Sequence, residues 1–277
     1  MRILEKALKF AAKYYILALP FIALYAIPAL VGSSKSVLSL KYILESLNLF
    51  SDYGYTTDPT EIFRMISSIF VSAIGAEILS FILAFIAYPS TYGMINNTLQ
   101  TGTGDINDFL PALKQNFVKY LLYWVGNIAV TAILAIIAVI VFIILGMLTA
   151  ILKWFGIMLI VLTAIVFAVI CVVIYVLLSL WLSVMIVDDM DIVPAFKRSI
   201  QISWANFGSL FGIILLISIV SAVAGALFNV IFGWIPVIGP VICSLVSAAS
   251  AFISTIFFIM FYREKTGREV YIWQTEN

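Results

Sequence analysis

The stretch that decides the fold runs from Tyr120 to Val187 and reads YLLYWVGNIAVTAILAIIAVIVFIILGMLTAILKWFGIMLIVLTAIVFAVICVVIYVLLSLWLSVMIV. It holds 68 residues and one charged side chain, Lys153. As a single helix it would be about 100 Å long at 1.5 Å per residue, whereas the hydrocarbon core of a bilayer is about 30 Å thick. The stretch therefore predicts two transmembrane helices that fold back on each other at Lys153, between Gly146 and Gly156.

The rest of the chain has the same apolar character. Of its 277 residues, 64% are hydrophobic and 10% are charged, against about 45–50% and about 25% in soluble domains. Four further apolar segments of spanning length cover about residues 13–31, 62–88, 207–232 and 237–261. We therefore expect an all-α, polytopic integral membrane protein with six transmembrane helices, built as one membrane domain, residues 1–277, in contact with the lipid bilayer.

Composition also narrows the function. The chain has no histidine, which excludes Ser-His and Cys-His nucleophiles and His-ligated metals. Its 15 Lys and Arg nearly balance 14 Asp and Glu, so net charge gives no argument for a nucleic-acid partner. Cys171 and Cys243 lie in apolar runs, which favours buried thiols over a disulfide. We expect no catalytic site, no cofactor and no metal; a lipid-modifying membrane enzyme is the weakest class, because no nucleophile–base pair can be assembled.

The basic residues are distributed unevenly between the two sides that six spans define. With both termini inside, eleven Lys and Arg fall in cytoplasmic segments and four in outer segments. Because cytoplasmic loops carry the excess of Lys and Arg, we expect both termini in the cytoplasm. A cleaved signal peptide is the alternative for the N-terminus, but the basic segment before the first span carries Glu5 and has an amphipathic pattern. On the outer side, apolar residues between 37 and 47 predict an interfacial helix.

A motif recurs at an offset of 83 residues. Residues 105–116 (DINDFLPALKQN) align with residues 188–199 (DDMDIVPAFKRS) in the pattern D-x-x-D, two apolar residues, P-A, one apolar residue, K. The second Asp is placed to cap a helix, Pro is tolerated in the first turn, and Lys reaches lipid headgroups. The motif predicts an amphipathic elbow helix on the cytoplasmic face. Its pattern residues are Asp105, Asp108, Pro111, Lys114, Asp188, Asp191, Pro194 and Lys197.

A third and weaker copy of the motif is Ala7-Leu8-Lys9, which lacks the Asp and the Pro. With it, the chain divides into three units of one elbow and two spans, at about 1–100, 101–186 and 187–277. Each elbow precedes an odd-numbered span, so the internal repeat is a parallel one, related by an axis along the membrane normal.

These elements resemble a known type of membrane protein. The elbow ends in P-A-F-K-R-S, a polar-aromatic step at 203–208 (SWANFG) leads into a span, and the last span ends in FYREKTG at 261–267. Together they resemble the membrane domain attached to glycerophosphodiester phosphodiesterases and related uncharacterised six-span prokaryotic proteins. The resemblance implies the fold and a bacterial or archaeal cell membrane, with no established substrate. Phosphodiesterase chemistry does not carry over, because the chain has no hydrolase domain and no histidine.

Glu77 is the ionisable residue placed well inside a predicted span, where a charge costs about 2.5–3.5 kcal/mol on insertion scales. Ser80 shares its helical face, and Asn127 and Thr131 of the third span lie at similar predicted depth. A proton or cation site and a structural, protonated carboxyl satisfied by a neighbouring helix both fit this pattern.

Two further patterns have a structural and a functional interpretation. Small residues on the last two spans favour close helix packing or homo-oligomer contacts, with a polar pore stripe as the alternative; they are Gly208, Gly212, Ser221, Gly225, Ser244, Ser247, Ala251 and Ser254. The acidic residues of the two elbows favour helix capping, with divalent-cation binding as the alternative.

Two functions fit this protein. A small-solute or ion permease or channel is favoured because repeats about a membrane-normal axis often enclose a central pathway. The alternative is a non-transporting membrane scaffold or envelope-homeostasis protein, which would use the elbows and the C-terminal tail as docking surfaces for protein partners.

Overall fold

The computed structural model describes residues 2–32 and 59–268. Within these ranges the chain is all-α, and the interfacial helix expected between residues 37 and 47 lies outside them. The helices are α1 (Arg2–Lys13), α2 (19–32), α3 (Pro59–Thr101), α4 (Phe109–Leu152), α5 (Trp154–Leu178), α6 (Trp181–Val187), α7 (Ile192–Ala205), α8 (Phe207–Phe232) and α9 (Ile238–Lys265).

Six helical segments of the described chain are long and apolar enough to cross a bilayer, which confirms the fold class. They are Tyr15–Gly32, Gly75–Thr101, Ile106–Thr149, Trp154–Val187, Phe207–Phe232 and Ile238–Lys265. The middle pair is the most apolar, and the turn between α4 and α5 lies at Lys153, as its charge predicted. Large apolar side chains of α4 and α5 are more than half exposed, among them Ile140 and Val169. In an all-α bundle of this length such surfaces are typical of contact with lipid.

Both described chain ends and the elbow segments lie at one end of the bundle, which we call the basal end. There α1 packs against α9, and the Tyr14 hydroxyl donates to the carbonyl of Gly102 at 2.7 Å. Lys119 near the start of α4 pairs with Asp189, which precedes α7. All eleven basic residues assigned to the cytoplasmic side therefore lie toward this end.

The two elbow motifs differ in structure. The second forms the separate helix α7, which ends at Asn206 before α8 begins. The first does not form a separate helix, because α4 continues from Phe109 to Leu152 without a break. The expectation of an independent surface helix at 105–116 is therefore wrong. At about 66 Å for 44 residues, α4 is twice as long as the hydrocarbon core requires, so its first turns extend beyond that layer.

The predicted capping by the second Asp of each motif is also wrong. Asp108 and Asp191 occupy the N-cap positions of α4 and α7, but neither side chain makes a capping hydrogen bond. In the first motif Asp105 does this instead, since its Oδ1 accepts from the backbone N–H of Asn107 at 3.0 Å. In the second motif the first Asp, Asp188, forms ion pairs with Arg198 and Arg268.

Two predicted span ends differ from the structure. The second span is predicted to end near residue 88, with a helix that continues past Pro89 to about Gln100 as the alternative, and α3 runs through Pro89 to Thr101. The fourth span was expected to be one helix to Val187, but α5 ends at Leu178 and a short helix, α6, follows the break. The structure thus places the polar segment 96–101 on a continuous helix.

The three proposed elbow units share one feature of packing. Ala7, Ala112 and Ala195 occupy equivalent positions of the motif, and each is fully buried. Ala7 belongs to α1, which contacts α9, and Ala195 belongs to α7, which contacts α5 and α6. Ala112 lies beside Gly93 of α3. Each elbow therefore contacts the end of an even-numbered span. The repeat itself stays a prediction.

Candidate functional site: a hydroxyl-lined cavity

The centre of the bundle contains a cavity of about 620 Å³, which we call the tyrosine cavity. All six candidate spans contribute to its wall. The lining residues are Tyr25, Tyr88, Tyr92, Tyr120, Tyr123, Tyr175, Ser179, Leu182, Ser221, Gly225, Val246, Ser247, Ser250, Ala251, Ser254, Thr255 and Phe258. A cavity to which every span contributes has the position expected of a central solute site in a membrane bundle.

Tyrosines from the first four spans form one wall. Tyr88 and Tyr120 stack with their ring centroids 5.4 Å apart and their planes 5° from parallel. Tyr123 lies one turn along α4 from Tyr120, with the centroids 6.1 Å apart. Tyr92, one turn after Tyr88, is almost fully buried. The i, i+4 spacing on α3 and the i, i+3 spacing on α4 hold these four rings on facing sides of two packed helices.

Small hydroxyl residues of α8 and α9 form the opposite wall. Ser221 Oγ donates to Ser250 Oγ at 2.6 Å and joins the two helices across the cavity surface. Ser247, Ser250 and Ser254 recur at helical spacing along α9, so they lie on one face. The wall is therefore polar, although both helices are apolar elsewhere.

The lining has a definite chemical character. Of the seventeen described residues that line the cavity, twelve carry a hydroxyl group and none carries a charge. Each hydroxyl donates one hydrogen bond and accepts up to two. The cavity can therefore hydrogen-bond a polar guest, but it offers no ionised partner to a charged one.

An aromatic contact chain leads from the cavity to the elbow helix α7. The ring of Tyr123 meets Trp181 of α6 edge to face at 5.4 Å, and Trp181 meets Phe196 of α7 at 4.9 Å. The indole N–H of Trp181 donates to the carbonyl of Ile192 at 3.0 Å. On α4, a Cβ at Gly126 would lie 2.4 Å from the indole ring, so only glycine allows this approach. The break between α5 and α6 places Trp181 in this position.

Three charged side chains and one tyrosine form a group on the basal side of the cavity. We call it the Asp188 cluster, and it consists of Asp188, Arg198, Tyr262 and Arg268. The Tyr262 hydroxyl donates to Asp188 Oδ2 at 2.5 Å and accepts from Arg198 Nε at 3.0 Å. Arg268 Nη2 lies 2.6 Å from Asp188 Oδ1. Because Tyr262 follows the lining residue Phe258 by one helical turn, the cluster lies next to the cavity on its basal side.

The electrostatics of this region follow from these contacts. The hydrogen bond to Tyr262 and the nearby Asp188 carboxylate raise the pKa of Arg198, so its charge is retained. Beside the cluster, the buried Arg263 donates from Nη1 to Asn96 Oδ1 at 2.8 Å, which ties α9 to the end of α3. The cluster therefore joins α6, α7 and α9 at the basal end.

The residues of the predicted polar site lie outside the tyrosine cavity. Glu77 and Thr131 are exposed, and Ser80 and Asn127 are half-buried. Ser80 donates to the carbonyl of Ala76, and Asn127 to that of Tyr123, each within its own helix. Among the described residues no hydrogen bond joins any two of the four. A role for Glu77 as a proton or cation site stays a prediction.

The elbow residues lie mainly on the surface. Asp105, Pro111, Lys114, Asp191, Pro194 and Lys197 are exposed, and Asp108 is half-buried. Asp188 differs, since its side chain is only 5% exposed. Among the described residues no group of three or more acidic or cysteine side chains is placed to hold a metal ion.

The small-residue patterns divide between the two interpretations. Ser221, Gly225, Ser247, Ala251 and Ser254 line the cavity, as the pore-stripe alternative requires. A Cβ at Gly208 or Gly212 would meet nothing within 4 Å, so this G-x-x-x-G does not mediate helix packing among the described residues.

The tyrosines that line the cavity were not predicted as site residues. The available signal was their spacing inside spans: Tyr88 and Tyr92 at i, i+4, and Tyr120 and Tyr123 at i, i+3. Such spacings indicate one helical face, but they do not indicate which face of which helix meets another. That information comes only from packing.

The fold and the cavity define an all-α, multi-pass membrane protein. A sequence model of the DUF7847 family, described as a domain of unknown function, matches residues 6–266, and the chain belongs to that family. No curated protein and no solved structure matches the chain. The resemblance to the membrane domain of glycerophosphodiester phosphodiesterases stays a prediction.

Proposed function

We propose that the protein is a permease for small solutes and that the tyrosine cavity is its solute site. The observation that carries this proposal is the participation of all six candidate spans in one polar cavity. Polar groups inside a membrane bundle are costly unless they are satisfied or serve a passage or binding function. Here twelve hydroxyl residues surround one space, which is more than helix packing requires.

The passage would run along the bundle axis. The Asp188 cluster lies on its basal side, and solute exchange there would require the contacts between Asp188, Arg268 and Tyr262 to part. The protein would bind and release solute without catalysing a reaction.

We further propose that the basal end faces the cytoplasm of a prokaryotic cell, because the excess of Lys and Arg lies there. Reporter fusions after Thr101 and after Lys153 test this orientation: a cytoplasmic signal from the first and an outer signal from the second are expected.

Solute flux into proteoliposomes tests the permease function, using a panel of neutral, cationic and anionic small solutes. The informative variant is Gly225→Trp, because Gly225 lines the cavity and a side chain there enters open space. The matched control is Gly212→Trp, on the same helix α8 but outside the cavity, where a Cβ also meets nothing. We expect flux of at least one solute that the first variant abolishes and the second preserves. Absence of flux for the whole panel from folded protein would contradict the permease and favour the scaffold alternative.

A further inference from the structure

We infer that the tyrosine cavity selects a neutral, polyhydroxylated solute of polyol or sugar type. This inference rests on the proposed function, since it names the class of solute that the same cavity takes. It follows from three properties of the wall: its lack of charge, its density of hydroxyl groups and the arrangement of its rings.

The first property is the absence of ionised side chains among the described residues of the lining. A buried ion without an opposite charge carries a large desolvation penalty. The Asp188 cluster lies toward the basal end, and its carboxylate is already occupied by Arg268 and Tyr262. A solute with net charge would therefore find no counter-charge among the described residues that line the cavity.

The second property is the kind of hydrogen-bonding group on offer. Every polar lining side chain is a hydroxyl, which both donates and accepts. A polyol or sugar carries the same group at each carbon, so donors and acceptors match without any fixed polarity. Ser250 accepts from Ser221, and its own hydroxyl hydrogen can be donated to a guest. Aromatic rings beside hydroxyls also suit the apolar C–H faces of such solutes.

The third property separates a polyol from an organic cation. Aromatic cages bind quaternary ammonium ions through ring faces that converge on one point. In this cavity Tyr88 and Tyr120 turn faces toward each other, at 5° from parallel, and Tyr123 packs against Trp181. The stacked contact occupies ring faces of Tyr88 and Tyr120 that a cation would need, whereas all six tyrosines belong to the lining and carry hydroxyl groups. The volume of about 620 Å³ lies within the usual range for small-molecule sites, about 300–1,000 Å³.

Three probes with one carbon skeleton test this inference: sorbitol, gluconate and glucamine. They differ at one end, which is a hydroxymethyl group, a carboxylate or an ammonium. Their binding to the full chain in nanodiscs is measured by calorimetry, with glycerol and trehalose as neutral probes of other sizes. We expect at least one neutral probe to bind, and sorbitol to bind at least tenfold more tightly than gluconate or glucamine. Equal or tighter binding of either charged probe overturns the inference, and so does the absence of binding by all three neutral probes.

Variants of the serine wall show whether binding occurs in the cavity. Ser250→Ala removes a lining hydroxyl and is expected to weaken binding of the neutral probe about fivefold, the effect of one hydrogen bond. Ser250→Thr keeps the hydroxyl and should restore binding. Ser244→Ala is the control, because Ser244 bonds to the carbonyl of Val241 in its own helix and is not a lining residue. Equal binding by Ser250→Ala and wild type would overturn the assignment to this cavity.

The two proposals fail in different ways. If glucamine or gluconate crosses the membrane and Gly225→Trp blocks it, the permease stands and the choice of a neutral solute is wrong. If no solute crosses, the permease itself is wrong, whatever binds.

Discussion

Arg268 reaches back across the basal end to Asp188, with Nη2 2.6 Å from Oδ1. The carboxylate is 5% exposed, whereas the Arg268 side chain is 44% exposed and that of Arg198 42%. The buried member of the cluster is therefore the anion. Substitution of Asp188 leaves the two arginines and the Tyr262 hydroxyl without their common partner. Substitution of either arginine leaves the other arginine paired with Asp188.

Asp188→Asn is expected to lower stability by about 1–3 kcal/mol, since it removes the charge from hydrogen bonds and ion pairs of a buried carboxylate. The control is Asp191→Asn in the same connection, because Asp191 is exposed and caps nothing. Thermal unfolding in detergent, followed by size-exclusion chromatography, measures both. Equal melting temperatures for the two variants would show that the cluster contributes nothing to stability.

Gly126→Ala is expected to destabilise the bundle by about 1–3 kcal/mol, the usual cost of overpacking. The added Cβ would lie 2.4 Å from the ring of Trp181, which is buried and held by its bond to Ile192. Gly146→Ala on the same helix is the control, because a Cβ there meets nothing. It is expected to be neutral or slightly stabilising, as alanine favours the helix. A variant at 126 as stable as the variant at 146 would contradict this packing.

The Lys119–Asp189 pair is expected to make stability sensitive to acid. The hydrogen bond from Lys119 and its positive charge hold the pKa of Asp189 below its usual range. The stabilisation is therefore present above the ordinary Asp pKa, about 3.9, and is lost as pH falls through the lower folded value. The difference in melting temperature between wild type and Asp189→Asn should shrink from pH 7 toward pH 3. Lys119→Met should show the same loss; a difference that grows in acid would contradict the sign.

Ser221 and Ser250 are expected to be coupled. A double-mutant cycle of Ser221→Ala and Ser250→Ala should give a coupling of about 0.6 kcal/mol, the average for hydrogen bonds between membrane helices. Unfolding in denaturing detergent measures the four proteins. Additive effects would mean that the 2.6 Å contact between these hydroxyls is not maintained in the membrane.

Much of the fold could be predicted from the sequence because spans depend on local composition. The single charge at Lys153 predicted the turn between α4 and α5, and the segment from residue 207 to 232 became α8 with the same bounds. The errors occurred where helix ends depend on contacts. Local sequence leaves open whether α3 ends at Pro89 or continues to about Gln100, and α3 packs along α4 in the longer form.

The candidate site was less predictable than the fold. Glu77 was predicted as a site because it is an isolated charged residue in an apolar run. The structure instead places neutral hydroxyl groups together around the tyrosine cavity, which Glu77 does not line. No local pattern brings Tyr25, Tyr175 and Ser250 together, since they are distant in sequence and lie on three different spans. Asp188 was assigned with the other elbow residues, and its burial depends on α9 arriving from the end of the chain.

A hydroxyl-lined, water-accessible cavity inside the bundle carries the solute in the function that we propose. The most direct measurement is the reaction of Ser250→Cys with a charged, membrane-impermeant thiol reagent, in a background carrying Cys171→Ala and Cys243→Ala, with solute flux recorded before and after. Val223→Cys on the exposed, apolar side of α8 is the control, because a thiol facing lipid does not form the reactive thiolate. We expect the Ser250→Cys thiol to react and flux to fall, while the thiol at position 223 stays unreacted. A thiol at position 250 as unreactive as the one at 223, in a protein that still folds, would contradict the account.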